Sequence, residues 1–301
     1  MATDTRNRSW TVLELLNWTV EHFRAAGVKN PRLNAELLLG RAMGLERIML
    51  YARFDVEVKP EQRQLFREMV RRRAAREPLQ YVLGEWEFCG RPFSVTPAVM
   101  VPRQETEVVV QCCLQAMTGD GSGLWAADVC TGSGVIAVTL AAERPGLHVI
   151  ATDTSSEALD VARANAERHG VAGRVHFVQG DLAEPIGSQL PSGRAGVDLF
   201  VANPPYVPTG DIAGLEPEVR DHEPRQALDG GADGLHVIRR LVPEAARWIN
   251  PGGRLVLEVG VGQARAVAGM IHDAGAFEKA IETSSDPGGC KRAVCATKRA
   301  S

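Results

Sequence analysis

No apolar run in the sequence reaches the roughly 18 residues that a membrane-spanning helix needs. The opening residues, MATDTRNRSW, also lack the hydrophobic stretch of a secretory signal. The expectation is a cytoplasmic protein with no membrane partner. Cysteine is scarce: six residues, with no C-x-x-C pair among them, so no metal site is expected. The closest separated pair, in Cys290 to Cys295, suits a strand and its entry turn. An excess of charge of one sign is lacking as well. With 34 Lys and Arg against 37 Asp and Glu the net charge is -3, which argues against stable nucleic-acid binding. The average conceals an uneven distribution. Residues 1–80 carry 15 basic and 10 acidic side chains, a balance of +5 that leaves -8 for the remainder.

What is present is a long chain, 301 residues at 45% hydrophobic composition, enough for one large domain and a smaller one. From Val12 to Ala75 the segments VLELLNWTVEHF, NAELLLGRAMG and EQRQLFREMVRRRAAR space apolar residues three and four apart, as helices do. Glu77-Pro78 closes that series, because the residue before proline avoids helical geometry. GEWEFCGRPFSV then alternates around Gly90 as a hairpin would, and ETEVVVQCCLQAM returns to a helical period. Beyond Leu124 the aliphatic runs LWAADVC, LHVIATD, RVHFVQGD, VDLFVAN and RLVLEVG read as strands. Helical patterns at 135–143, 156–169, 235–248 and 263–274 lie between or after them. Such alternation implies a mostly parallel sheet covered on both faces, with a ligand beyond the carboxyl ends of the strands.

Three strand ends suggest a nucleoside ligand. Asp128 precedes the loop Cys130-Thr131-Gly132-Ser133-Gly134, whose glycines allow close backbone approach and whose following helix offers unpaired amides. Asp153 falls 19 residues past Gly134, near the spacing at which an acid accepts bonds from ribose hydroxyls. Asp181, in QGDLAEP, could accept from an adenine amino group or simply cap the next turn. A nicotinamide dehydrogenase and a methyltransferase both fit these signals.

The fourth strand end separates them. VDLFVAN runs into Asn203-Pro204-Pro205-Tyr206, a sequence that neither continues a ladder nor starts a helix. The nitrogen of an amide or aromatic amine is a poor nucleophile because its lone pair is delocalised. Two acceptors held together can bind its two N–H hydrogens and aim the lone pair at an electrophile. Asn203 Oδ1 and the Pro204 carbonyl form such a pair; the prolines stiffen the turn, and the Tyr206 ring can pack on the flat target group. A methyl sulfonium in the adjoining pocket then needs only in-line approach.

Together DVCTGSG, ATD, GD and NPPY resemble the class I methyltransferases that use S-adenosylmethionine to methylate planar nitrogen. The stretches REPLQYVLGEWEFCGRPFSVTPAVMVPRQETE and EVRDHEPRQALDGGADGLHVIRRL resemble the PrmC (HemK) family, the glutamine methyltransferases of peptide-chain release factors. The resemblance implies a Rossmann-like, seven-stranded, mostly parallel α/β catalytic domain at 102–301, with S-adenosylmethionine as cofactor and S-adenosylhomocysteine as product. An all-helical substrate-recognition domain at 1–82 and a β-hairpin linker at 83–101 precede it. The partner implied is a class I release factor, methylated on the glutamine of its Gly-Gly-Gln loop.

By match of motif the cofactor falls on Cys130 to Gly134, Asp153, Asp181, Leu182 and Asn203, and the substrate clamp on Asn203, Pro204, Pro205 and Tyr206. Two positions depart from the family: Cys130 stands where glycine is usual, and Gln104 where proline is usual. Altered packing around the cofactor loop is the expected consequence. A glutamine methyltransferase of a ribosomal protein would share the clamp. An adenine methyltransferase of DNA or RNA could use the same four residues but would need a basic channel, and a non-catalytic binder would have no use for the clamp.

Overall fold

The computed structural model describes residues 9–300, which divide into two compact units. The smaller begins with five helices: α1 (Val12–Ala25), α2 (Pro31–Met43), α3 (Arg47–Ala52), α4 (Pro60–Ala74) and α5 (Leu79–Leu83). Local chemistry sets their ends. Thr11 and Glu14 form a reciprocal capping box at the start of α1, Pro31 and Pro60 occupy the first helical positions of α2 and α4, and Gly44 closes α2 in the left-handed region at φ 66°. α5 is a single further turn after Pro78 that periodicity alone does not announce.

The larger unit opens with the hairpin β1 (Glu85–Phe88) and β2 (Arg91–Ser94). Its two-residue turn, Cys89-Gly90, has both φ angles positive, 48° and 71°, the geometry whose twist matches the flanking strands. There follow α6 (Thr106–Ala116), β3 (Trp125–Val129), α7 (Val135–Glu143), β4 (His148–Asp153), α8 (Ser156–Arg168), β5 (Val175–Gln179), α9 (Ile186–Gln189) and β6 (Val197–Ala202). The short helix α10 (Pro217–His222) belongs to the helical unit, and α11 (His236–Trp248), β7 (Ile249–Glu258), α12 (Ala264–Asp273), β8 (Glu282–Ser285) and β9 (Lys291–Thr297) complete the larger one.

Seven strands form one sheet in the order β5-β4-β3-β6-β7-β9-β8. The first five are parallel and the last two join antiparallel. The chain leaves β3 for β4 on one side and later returns to β6 on the other, so the topological switch lies between β3 and β6. Loops diverge there, and a cleft opens above the carboxyl ends of those strands. Period-two alternation covers both faces from Leu199 on: Leu199 and Val201 of β6 enter the layer under α6 and α7, whereas Phe200 and Ala202 enter the layer under α11 and α12, which Val197 joins across a register shift before Leu199. As expected of buried parallel strands, β6 is apolar except at Asp198.

The arginine run of α4 is engaged within its own unit. Arg71 pairs with Glu68 and Arg72 with Glu77. Arg73 and Arg76 converge on Glu218 of α10, through hydrogen bonds of 2.8 Å from Arg73 and of 2.9 and 2.6 Å from Arg76. Burial opposes the Glu218 charge, but the bonds from Arg76 and Arg73 outweigh it and bring its carboxyl down to about 2. A depressed carboxylate stabilises the fold above its ordinary value and loses that contribution as pH falls toward the folded value. Glu218→Gln is therefore expected to lower the stability of the helical unit by about 3 kcal/mol at pH 7. Denaturation curves at pH 7 and pH 3 check this, because the gap between wild type and variant narrows at the lower pH.

Candidate active site

A cavity of about 360 Å³ lies at the switch point, lined by Cys130, Thr131, Gly132 and Ser133 after β3, Asp153 at the end of β4, Asp181 and Leu182 after β5, and Asn203 and Pro205 after β6. Segments 98–102 and parts of 224–240 supply other walls. Nine of the twelve residues singled out in the sequence thus meet in one place. Gly134, Pro204 and Tyr206 do not line the cavity, and each has another position to fill.

Gly134 is the N-cap of α7 at φ 78°. A Cβ there would stand 2.9 Å from the Ala162 Cβ, so glycine is what lets the loop turn against α8. Beneath the loop, Asp128 is fully buried; its Oδ2 accepts the Thr131 hydroxyl at 2.6 Å and the Ala137 amide at 3.0 Å. Burial pushes the Asp128 carboxyl up to about 7 against the pull of those two bonds. Asp153 holds the loop from the other side, with Oδ2 accepting the Gly132 amide at 2.9 Å and Oδ1 the Ser155 amide at 3.0 Å. Each oxygen keeps a second lone pair for a hydroxyl donor.

Cys130 adopts φ 63°, and Leu182 φ 49°. Both are left-handed non-glycine residues and both line the cavity, a place where backbone strain concentrates. The glycine conformation is therefore retained at Cys130 although the glycine is not. Burial, followed by the charges of Asp153 and Asp128, pushes its thiol well up, so it stays a neutral thiol rather than a nucleophilic thiolate. Left-handed geometry costs about 1–2 kcal/mol for a residue with a Cβ, and glycine costs about 0.5–1 kcal/mol in chain entropy. Cys130→Gly is expected to raise stability by about 0.5–1 kcal/mol, measured by denaturation.

Asp181 faces the cavity but is also paired with Arg240 of α11. The Leu182 carbonyl accepts the Thr152 hydroxyl at 2.7 Å, which ties the β5 loop to β4.

Asn203 is tied down at one end of its amide only. Its Nδ2 donates to Thr106 Oγ1 at 3.3 Å, and no donor among the described residues is paired with its Oδ1. Pro204 is buried, and its carbonyl accepts no hydrogen bond among the described residues. Tyr206, whose ring is expected to pack on a flat target group, is anchored through its hydroxyl. Its hydroxyl donates to Glu258 Oε1 at 3.3 Å, as a buried phenol needs a polar partner.

Glycines from the stretch 230–234 and Gly260 let other backbone close on this loop. A Cβ at Gly234 would come within 2.3 Å of the Tyr206 carbonyl oxygen, one at Gly230 within 2.8 Å of the Tyr206 Cα, and one at Gly260 within 3.1 Å of the Tyr206 ring. Gln263 Nε2 donates to the same carbonyl at 2.9 Å, so the turn is fixed from behind.

Sequence reasoning did not reach Thr106, Glu258, Arg103 or Glu223. Glu223 is buried and accepts from the Arg103 guanidinium and, at 3.2 Å, from the Val101 amide; it thereby fixes the wall at 98–102. Burial raises the Glu258 carboxyl to about 7, opposed by the neighbouring Thr106 and Tyr206 hydroxyls, the second of which donates to it. The family-like run PRQETE contains Arg103 and Thr106, the one signal that could have drawn attention to them.

A parallel sheet with this switch point, a glycine loop between two buried or strand-end aspartates, and an Asn-Pro-Pro-Tyr turn at the rim define a class I methyltransferase. The family described as Methyltransferase small domain matches residues 105–214, and that described as PrmC N-terminal domain matches 14–84. Over nearly its whole length the chain is 46% identical to the release factor glutamine methyltransferase of Geobacter sulfurreducens, covering 95% of this chain and 96% of the relative. It is also 46% identical to the protein of the same name from Moorella thermoacetica, over 89% and 92% of the two chains. A solved structure titled protein-(glutamine-N5) methyltransferase (release factor-specific), from Alicyclobacillus acidocaldarius, aligns at 27% identity and TM-score 0.42, over 69% of this chain and 99% of that one. The chain belongs to the release factor glutamine methyltransferase family.

Proposed function

We propose that the protein transfers a methyl group from S-adenosylmethionine to the side-chain amide nitrogen of the glutamine in the Gly-Gly-Gln loop of class I release factors, releasing S-adenosylhomocysteine. The observation that carries this reading is the Asn203 amide at the cavity rim, with Nδ2 tied to Thr106 and Oδ1 left for an incoming donor. Family membership supplies the substrate, and that substrate implies work in the cytoplasm.

The residues fit the cofactor. A volume of about 360 Å³ lies in the range of sites for small molecules of this size. Asp153 offers a lone pair on each oxygen to vicinal hydroxyls. A Cβ at Gly132 would meet nothing within 4 Å, so that backbone stands bare. Cys130 to Gly134 and Leu182 would hold the nucleoside and amino-acid parts, with Asp181 as an acceptor beside them. When bound, the cofactor supplies an electrophilic methyl group on sulfonium sulfur.

The chain's own task is to make a delocalised nitrogen nucleophilic. Asn203 Oδ1 and the Pro204 carbonyl accept its two hydrogens and fix its plane, and Pro205 walls the site. As the N–C bond forms and the C–S bond breaks, the nitrogen becomes acidic. One proton then leaves to solvent without a dedicated strong base. The test is to incubate the purified protein with labelled S-adenosylmethionine and either a release factor or its loop variant with glutamine replaced by alanine. Label in the first alone is expected; equal label in both would refute the reading.

A further inference from the structure

Asn165 lies in α8 and has no exposed surface. Helical spacing sets it on one face with Ala158 and Ala162. Ala158 lines the cavity, and Ala162 is the residue against which the loop turns at Gly134. Asn165 continues that face with hydrogen bonds. Its Oδ1 accepts the Ser94 amide at 2.8 Å, and its Nδ2 donates to the Ser94 carbonyl at 3.1 Å and to the Ser133 carbonyl at 2.9 Å. A buried amide is tolerated when its donors and acceptor are matched, and here the oxygen and both donor hydrogens are in use.

The two partners belong to two walls of the same cavity. Ser133, in the loop at 130–134, lines it directly. Ser94 ends β2, and from it the chain runs as a strap into Ala98, Val99, Met100 and Pro102, which line the cavity as well. The far end of the strap is held by Glu223 through the Val101 amide at 3.2 Å; the near end is held by Asn165. Pairing with Ser94 alone would finish the hairpin. The bond to Ser133 goes beyond that need, and it makes one planar amide the common reference for both walls.

We propose that Asn165 is a positioning residue: its side chain fixes the loop at 130–134 and the strap at 95–102 against each other, and so holds the cavity ready for S-adenosylmethionine. The role rests on that cavity being the cofactor's, as proposed above. Walls coupled in this way respond together, so a ligand bound at the loop is felt at Ser94.

The test compares full-length wild type with Asn165→Leu, which removes all three bonds, and Asn165→Asp, which keeps the acceptor for the Ser94 amide but has at most one hydrogen where the amide has two. Ile271→Ala, in buried α12 and outside the cavity lining, serves as a control for lost stability. Calorimetry with S-adenosylhomocysteine is expected to show affinity lower by about 10-fold in Asn165→Leu, by a smaller factor in Asn165→Asp, and within about two-fold of wild type in Ile271→Ala. At saturating cofactor and release factor, kcat stays within about three-fold of wild type in all of them, because the turn bearing Asn203 is held separately by Thr106 and Gln263.

Amide exchange read by NMR supplies the signature of coupling. Saturating S-adenosylhomocysteine is expected to slow exchange at Ser94 by at least about five-fold in wild type and by less than about two-fold in Asn165→Leu. Exchange at Ser94 that ignores the ligand in wild type would overturn the proposal without recourse to any variant. So would affinity unchanged in both Asn165 variants, or an affinity loss in Ile271→Ala equal to theirs at a matched loss of melting temperature. A wild type that binds no S-adenosylhomocysteine would overturn the cofactor reading and this proposal with it, whereas binding with a silent Ser94 would overturn the proposal alone.

Discussion

Asn203→Ala is expected to lower kcat for methylation of a release factor by about 10³-fold, while S-adenosylmethionine affinity changes by about two-fold or less. The asymmetry follows from where Asn203 stands. Its Nδ2 is committed to Thr106 at 3.3 Å, and its Oδ1 is the acceptor that the incoming amide would meet. The loop at 130–134, by contrast, is held by Asp128 and Asp153. Truncating Asn203 removes orientation from the nucleophile and leaves the loop's own bonds intact. Steady-state kinetics with saturating cofactor, alongside calorimetric titration, separate the two quantities. Turnover within a few-fold of wild type would remove Asn203 from the clamp.

Asp153→Asn produces the opposite pattern: S-adenosylmethionine affinity falls by about 10- to 100-fold, as expected for losing charge-assisted bonds of about 1.5–3 kcal/mol. Asparagine keeps one acceptor, so one of the two amide contacts, from Gly132 at 2.9 Å and Ser155 at 3.0 Å, can persist and the loop stays in place. What is lost is the carboxylate that can accept from two hydroxyls at once. At saturating cofactor, kcat recovers to near the wild-type value. Unchanged affinity in a calorimetric titration would show that Asp153 serves only the loop.

Much of this arrangement is legible in the sequence because it is built from short-range chemistry. The strand and helix periods from β3 to α8 follow directly from aliphatic runs and their spacing, and the glycine loop and Asp153 fall at predictable strand ends. The short antiparallel strand β8, whose residues Glu282 to Ser285 are all polar, has no apolar alternation to announce it; pairing with β9 creates it.

The clamp's rear support is equally silent. Asn203 meets Thr106 across 97 residues and Tyr206 meets Glu258 across 52, and nothing local distinguishes that glutamate from any other at the end of a strand. The Tyr206 hydroxyl is the instructive addition: the residue type suggests a ring that packs on a flat group, and tertiary packing adds a buried carboxylate that holds the hydroxyl. The arginine run of α4 teaches the same point: its destination could not be read locally, because Glu218 lies 145 residues from Arg73.

The most direct measurement of the central claim is mass-spectrometric localisation of the transferred methyl group after incubation of the protein and S-adenosylmethionine with a mixture of release factor, ribosomal proteins and DNA. A single methyl on the side-chain amide of the Gly-Gly-Gln glutamine, absent when Asn203→Ala replaces the wild type, is the result expected. A methyl on an adenine, on a ribosomal protein, or on any other release-factor residue would contradict it.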